Sequence, residues 1–425
     1  MNNKLLVTAV TTVLYVTSLS AMQFQTLGYK SVAMGGAGVA SSSSSIATYN
    51  NPALLAKVSY DSELSIGGGI SAYDHGAGAS LKELDDSGFI DTLDKANNNA
   101  TALRPADATN LIKGKNIVLN MNGDSLEIAP QAYLAAQINS FGVGIFVSSD
   151  IVATAVVDPA HKELIFKNNG IYAKLSDDGS ISLSNAEAYT QSSIEFAITN
   201  GKTYVQTKGI ALAEIPVAYG YKFELSGGNL MVGGSFKYMQ GNAYLEQMKI
   251  DNSGSSSTGN KLEKKSTNFG VDLGLAYEPS FSTGITLAIV AKNLNSPDFN
   301  FSDGSKVTVD PMIRAGVAYN IFESLEFAAD MDLTKNETFI SSLKSQMLGG
   351  GLNYHPASWF AIRGGLMNNM DGADKADLIY TAGIGIGLKW LQIDLSAQIS
   401  SNSTTVENTT YPQYAKINLA LISRW

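Results

Sequence analysis

From about residue 60 to the C-terminus the chain is written in a two-residue period, in segments where apolar and polar positions alternate. Alternation at period two is what a β-strand needs when its two faces meet different surroundings. The segments fall at 60–72, 126–138, 141–157, 203–223, 229–250, 266–278, 284–293, 310–320, 324–334, 344–354, 358–368, 377–390, 391–401 and 413–425. They amount to about fourteen strands, an even number, as single-chain bacterial barrels have. Connections after odd-numbered segments are long and polar, at 73–125, 158–202 and 251–265, whereas those after even-numbered ones are tight, as at Asn139-Ser140 and His355-Pro356-Ala357. A soluble sandwich has no reason to sort loop length by parity. A transmembrane antiparallel β-barrel does, with short turns on the periplasmic rim and long loops outside.

Within the segments the charges keep to one parity. In 324–334, Leu325, Phe327, Ala329, Met331 and Leu333 point one way while Glu326, Asp330 and Asp332 point the other. In 310–320, Ile313, Ala315, Val317 and Tyr319 oppose Arg314, and in 391–401 Leu391, Ile393, Leu395, Ala397 and Ile399 oppose Gln392, Asp394 and Gln398. A charge on the lipid face costs about 2 to 4 kcal/mol at mid-membrane, so these charges belong to the lumen. A slip of one residue would turn all of them into hydrocarbon, which fixes the register. A polar lumen ladder of Asp272, Arg314, Asp330, Asp332, Arg363 and Asp394 follows, and a regular hairpin around 321–323 sets Arg314 opposite Asp330. The ladder either satisfies the barrel interior or forms a polar lining that steers a substrate.

Composition agrees with one barrel. Hydrophobic residues make up 44% and charged residues 16% of the 425, low in charge for a soluble protein of this size. Aromatic residues recur at segment ends, among them Tyr219, Tyr221, Tyr238, Trp359 and Trp390, where an interfacial girdle needs them. No run of about 18 apolar residues offers a spanning helix. Residues 1–21 read as an export signal: Lys4, an apolar stretch from Leu5 to Val16, and small residues around Ser18-Leu19-Ser20-Ala21. The division is then signal 1–21, an N-terminal plug or hatch 22–58, and the barrel 59–425 in the outer membrane of a Gram-negative bacterium.

The absence of cysteine excludes disulfides, thiolate metal ligands and thiol nucleophiles. A net charge of −9 argues against nucleic acid as a partner. His75, His161 and His355 share no ligand spacing and read as solvated loop residues. Neither a nucleophile elbow nor a phosphate-binding loop is present, so the chain reads as a non-enzyme with no cofactor and no metal. In the first long loop, Leu81, Leu84, Ile90 and Leu93 recur at near-helical intervals and a second stretch follows around Pro105 to Ile112, predicting short helices outside the barrel.

The hatch segment carries Ala33-Met34-Gly35-Gly36-Ala37-Gly38-Val39-Ala40 and Asn51-Pro52-Ala53. Gly35, Gly36 and Gly38 allow backbone to approach backbone, and Asn51 with Pro52 and Ala53 reads as the capped start of a helical turn. This stretch resembles the N-terminal hatch of the FadL-type long-chain fatty acid transporter superfamily. Asp330-Met331-Asp332-Leu333-Thr334-Lys335-Asn336, Gln346 and Arg363-Gly364-Gly365 resemble the branch of it labelled conjugal transfer protein TraF, the barrel type. Without a Cys-x-x-Cys pair, no redox role of the thioredoxin-like proteins of that name carries over. The resemblance implies an outer-membrane location and passive uptake of hydrophobic small molecules of fatty acid or hydrocarbon class. The alternative is a non-transporting structural or assembly barrel of a conjugal transfer or secretion apparatus. Expected partners are outer-membrane lipids, a hydrophobic ligand, and the barrel assembly machinery, for which the terminal aromatic Trp425 is the signal.

Overall fold

The computed structural model describes residues 19–20, 23–42, 44–57, 61–99, 104–250, 262–301, 304, 306–340, 343–371, 377–388, 390–406 and 409–425. The expected export signal lies outside the described residues except for Leu19–Ser20, which pair in parallel with Val307–Thr308. Of the long polar connection expected at 251–265, residues 251–261 also lie outside them.

Fourteen strands close into one barrel. They are β1 (Ser62–His75), β2 (Ser125–Ile138), β3 (Phe141–Val156), β4 (Tyr204–Leu225), β5 (Gly228–Lys249), β6 (Leu262–Pro279) and β7 (Ile285–Lys292). The second half holds β8 (Met312–Phe322), β9 (Leu325–Asp332), β10 (Met347–Ala357), β11 (Phe360–Asn369), β12 (Leu378–Leu388), β13 (Leu391–Ser400) and β14 (Tyr414–Arg424). Each pairs antiparallel with its sequence neighbours, and β1 meets β14 from Glu63↔Arg424 to Tyr73↔Tyr414. The seam continues into Trp425, whose carbonyl accepts from the Ser62 N–H at 3.0 Å and whose N–H donates to the Ser62 carbonyl at 3.1 Å. Among the described residues no helix is long and apolar enough to cross a membrane.

Side-chain parity sorts as the charges require. On β9, Phe327 and Met331 are 38% and 39% exposed while Asp330 and Asp332 are buried. On β13 and β14, Ile393, Leu395, Leu419 and Leu421 face outward, opposite Asp394, Gln398 and Asn418. Two prolines interrupt the ladders beside β3. Pairing of β2 with β3 stops at Ile128↔Ile151 and resumes at Gln131↔Ser148, across Pro130. Pairing of β3 with β4 stops at Val143↔Val217 and resumes at Phe146↔Glu214, across Pro216. A proline has no N–H to give the ladder.

The β8–β9 hairpin differs from the expected one. Phe322 pairs with Leu325, so the chain reverses at Glu323-Ser324 rather than around 321–323, and an irregularity between Asn320 and Phe322 shifts the register. A two-residue reversal suits the twist of paired strands better than a three-residue one. Arg314 therefore stands opposite Asp332, and Asp330 stands opposite Gly316.

Above the long-loop rim the connections 76–124 and 157–203 fold into a lobe. Helices α3 (Ala77–Asp86), α4 (Phe89–Asn99) and α5 (Pro105–Asn120) pack with a three-stranded sheet of Leu164–Asn168, Ile171–Leu175 and Ile181–Ser184. Leu84, Phe89, Leu93, Leu111, Val118, Leu164, Phe166 and Ile194 form its core. His161 is not solvated as expected. It is 2% exposed, stacks on Phe196 with centroids 5.7 Å apart, and brings Nε2 to 3.0 Å from the Thr190 carbonyl oxygen, because the connection around it has a core of its own. His355 is exposed as expected but lies on β10 rather than in a loop, with Nε2 3.0 Å from Asn353, and the half-buried His75 ends β1.

The start of α5 is capped by Asp107, whose carboxylate accepts from the Arg104 N–H at 2.6 Å and from Lys95 at 2.5 Å. The Lys95 hydrogen bond, then the Arg104 N–H, lower the Asp107 carboxyl to about 2. A depressed carboxyl stabilises the fold above its unfolded value, near 3.9, and that contribution fades as pH falls toward 2. Asp107→Asn is expected to speed amide exchange across Pro105–Leu111 relative to the parent at pH 6, with the difference gone near pH 2; an unchanged rate at pH 6 would contradict the cap. Deleting Trp425 is expected to slow barrel assembly, and normal heat-modifiable migration of the truncated protein on detergent gels would contradict that.

Candidate functional site

Residues 23–57 lie inside the barrel. Helix α1 (Tyr29–Ala33) packs on β12 and β13, α2 (Ser44–Asn50) on β2 and β3, and a 3-10 turn (Pro52–Ala56) on β4 and β5. The turn forms because Asn51 is extended and its side-chain oxygen accepts from the Ala53 N–H at 3.0 Å, while Pro52 supplies a first helical position that needs no donor. The Asn51 amide nitrogen donates to the Val39 carbonyl at 2.9 Å, tying the glycine-rich stretch to the Asn-Pro-Ala turn.

The middle of this segment is bonded to the wall strand by strand. Gly38 and Val39 N–H groups both donate to Asp330 Oδ2 at 2.8 Å. The Gly35 N–H donates to the Thr381 hydroxyl, which in turn donates to the Ala33 carbonyl, both at 2.9 Å. Gln398 donates to the Val32 carbonyl at 2.8 Å, and the Ser45 N–H and hydroxyl meet Glu63 at 2.9 and 2.6 Å. Gly35 has φ +64° and lies so close to β10 and β11 that a Cβ there would stand 2.3 Å from the Leu366 carbonyl oxygen and 2.6 Å from that of Gly350. Gly36 also has positive φ, and a Cβ on Gly38 would meet the Ser31 hydroxyl at 2.4 Å.

The six lumen charges expected as one ladder fall into separate groups. Asp272 shares Lys237 with Glu214, at 3.1 and 2.6 Å, and Lys237 also donates to Asn293 at 2.7 Å. Arg314 pairs with Asp332 at 2.6 Å, and Asp332 also accepts from the Met347 N–H at 2.8 Å. Arg363 pairs directly with Asp394 and donates to Asn353 at 3.1 Å. Asp330 stands apart, spending its oxygen on the inserted segment. Glu214 and Lys237, a separate Glu63–Arg424 pair at 2.8 Å, and Lys292, which sits over the Tyr49 ring at 3.2 Å, were not expected. Their segments carry polar residues on both parities, or apolar ones on the lumen parity, which blurs the signal.

The lumen is also less uniformly polar than expected. Toward the long loops, Val152, Ile210, Leu212, Met239, Ala243 and Leu245 face inward from β3, β4 and β5. They pack with Phe24 of the inserted segment and with Phe299, Phe301, Val307, Val309, Phe339 and Ile340, which descend from the connections. A cavity of about 110 Å³ lies beside this cluster on the long-loop side, bounded by residues 23–26, Ser71, Glu127, Met347, Met367, Tyr414 and Lys416. A second, of about 330 Å³, lies on the short-turn side between Lys30, Lys57, Glu63, Glu326, Arg363 and Arg424. The inserted segment separates the two. On the lobe, a groove of about 610 Å³ runs between Pro105 and Ala108 of α5 and Phe166, Ile171, Ala173 and Ile181 of the small sheet.

Solved structures share this architecture. The Ralstonia pickettii toluene transporter TbuX aligns over 94% of this chain and 98% of its own, with TM-score 0.51 and 12% identity. A deltaS2S3 mutant of TodX, a monoaromatic hydrocarbon channel, aligns over 94% and 99%, with TM-score 0.51 and 12% identity. At that identity the likeness is one of fold, a FadL-type barrel. No curated protein matches the chain in sequence. A family model described as F plasmid transfer operon, TraF, protein matches residues 48–332, well over half of the chain, and the chain belongs to that family.

Proposed function

We propose that the protein is a passive carrier of hydrophobic small molecules, of fatty acid or hydrocarbon class, across the outer membrane of a Gram-negative bacterium. The observation that carries this reading is the division of the lumen. Its outer half is apolar along β3 to β5 and continuous through Phe24 with the inserted segment, which acts as the hatch. A barrel that only had to be stable and hydrated could line its whole interior with polar side chains. An apolar solute gains about 25 cal/mol for each Å² it withdraws from water. The groove on the lobe, the apolar outer lumen and the cavity above the hatch form successive places for that gain. Release past the hatch needs only a concentration difference, and the carrier is not an enzyme. The TodX mutant is described as a monoaromatic hydrocarbon channel and TbuX as a toluene transporter, which is consistent with this use of the fold.

The second reading is a structural barrel of a transfer apparatus, in line with the family's description. It is favoured by how firmly residues 32–53 are bonded to the wall, through Asp330, Thr381, Gln398 and Glu63. In either role the outward apolar faces contact outer-membrane lipid, and the assembly machinery is a partner through the terminal strand ending in Trp425.

Two measurements separate the readings. Cells producing the protein are expected to take up radiolabelled dodecane or laurate faster than vector controls, and equal rates would sink the carrier. Asp330→Asn weakens two charge-assisted hydrogen bonds to the hatch, each worth about 1.5 to 3 kcal/mol, and Asn51→Ala removes a cap worth about 1 kcal/mol. Both are expected to raise uptake or leak while heat-modifiable migration stays normal; unchanged permeability in both would favour the structural barrel.

A further inference from the structure

Phe24 occupies an unusual position at the outer end of the hatch. It is 6% exposed, belongs to the apolar cluster of the outer lumen and borders the outer cavity. Two buried cations lie near its ring: Arg314 Cζ is 3.8 Å from the ring centroid, whereas Lys292 Nζ is 5.1 Å from it and sits over the Tyr49 ring at 3.2 Å. Both cations are 3% exposed or less. Arg314 is held from one side by Asp332 at 2.6 Å, and its Nη2 has no hydrogen-bond partner among the described residues.

A buried guanidinium N–H without an acceptor is costly, and the negative face of an aromatic ring is the partner this site offers it. The desolvated setting strengthens that attraction. A saturated group of the same volume would fill the space and leave the cation unmet. The stretch carrying Phe24 is at the same time held by few hydrogen bonds, although Leu19–Ser20 before it pair with Val307–Thr308. Among the described residues, 23–27 is tied to the barrel by Gln23 to Glu127 at 2.9 Å and by Lys416 to the Thr26 carbonyl at 3.0 Å. The part of the hatch beyond Gly28 carries many more such bonds.

We propose that Phe24 is an internal placeholder in a ring-binding socket, and that Arg314 selects an uncharged aromatic cargo over a saturated one of equal size. This rests on the carrier reading and adds to it a basis for selectivity. The Phe24 side chain is a benzyl group, so moving it aside opens a space shaped for one six-membered aromatic ring next to an existing cavity of about 110 Å³. The Asp332 carboxylate keeps the guanidinium in place when the ring changes identity.

The test compares toluene with methylcyclohexane, two probes of similar size that differ in the π face. Binding to full-chain protein in lipid nanodiscs is read by headspace gas chromatography against empty nanodiscs. With Phe24→Ala, toluene is expected to bind about tenfold or more tightly than methylcyclohexane. With Phe24→Ala combined with Arg314→Met and Asp332→Leu, which removes both charges together so that neither is left unpaired, the preference is expected to fall below about twofold. Heat-modifiable migration checks that each variant is folded; if the combined variant does not fold, the Phe24→Ala comparison decides alone. Equal binding of the two probes to Phe24→Ala, or a preference that survives loss of Arg314, would overturn the socket and leave the carrier standing. Failure of Phe24→Ala to bind either probe would overturn both.

Discussion

Everything in this molecule depends on the closure of one sheet. In hydrocarbon no water is available to backbone N–H and C=O groups, so an open edge would cost several kcal/mol for each unpaired group. The pairing of β1 with β14, carried to the last residue by Ser62 and Trp425, removes the two edges that a fourteen-stranded ribbon would otherwise present. Closure also creates the enclosed space whose contents define function. Lipid dictates one face of each strand, and the hatch and the connections dictate the other.

The interior is a compromise between two kinds of packing. The inserted segment is bonded to the wall through polar side chains, Asp330, Thr381, Gln398 and Glu63, while charges of the wall pair with one another, Arg314 with Asp332 on the neighbouring strand and Arg363 with Asp394 two strands away. Breaking such a pair by removing one partner is expensive because it strands a buried charge. Toward the long loops the same wall turns apolar, and aromatic side chains from the connections fill it. Non-directional contacts of that kind can be exchanged for those of another apolar molecule, whereas the bonds of Asp330 to Gly38 and Val39 cannot. The chemistry thus separates a fixed part of the interior from an exchangeable part.

Much of the fold was legible because the membrane imposes a strict rule on each strand. Fourteen segments, their parity of loop length and the inward direction of Asp330, Asp332, Arg363 and Asp394 can all be read from the order of residues. The register of one hairpin could not, since Arg314↔Asp332 depends on where the chain reverses, and Ile321 to Ser324 offers no turn signal strong enough to choose. The apolar half of the lumen was also hidden. On β5, Met231, Met239 and Leu245 stand on the same parity as Lys237, so the pattern alone did not reveal which way Lys237 points. The lobe had a usable signal that went unread. Asn169 and Gly170 both take positive φ between Leu164–Asn168 and Ile171–Leu175, the pairing a tight primed hairpin demands.

The glycine seam under the hatch has a bearing on how the protein comes into being. Gly35 reaches a backbone pocket made by β10 and β11 and bonds Thr381, a residue 346 positions later in the chain. So close a fit leaves no side chain that could swing aside to admit a latecomer. The seat of Gly35 exists only once β10, β11 and β12 are in place, so the first residues of the segment complete their bonds with strands made near the end of the chain. Contacts this distant in sequence make maturation slow.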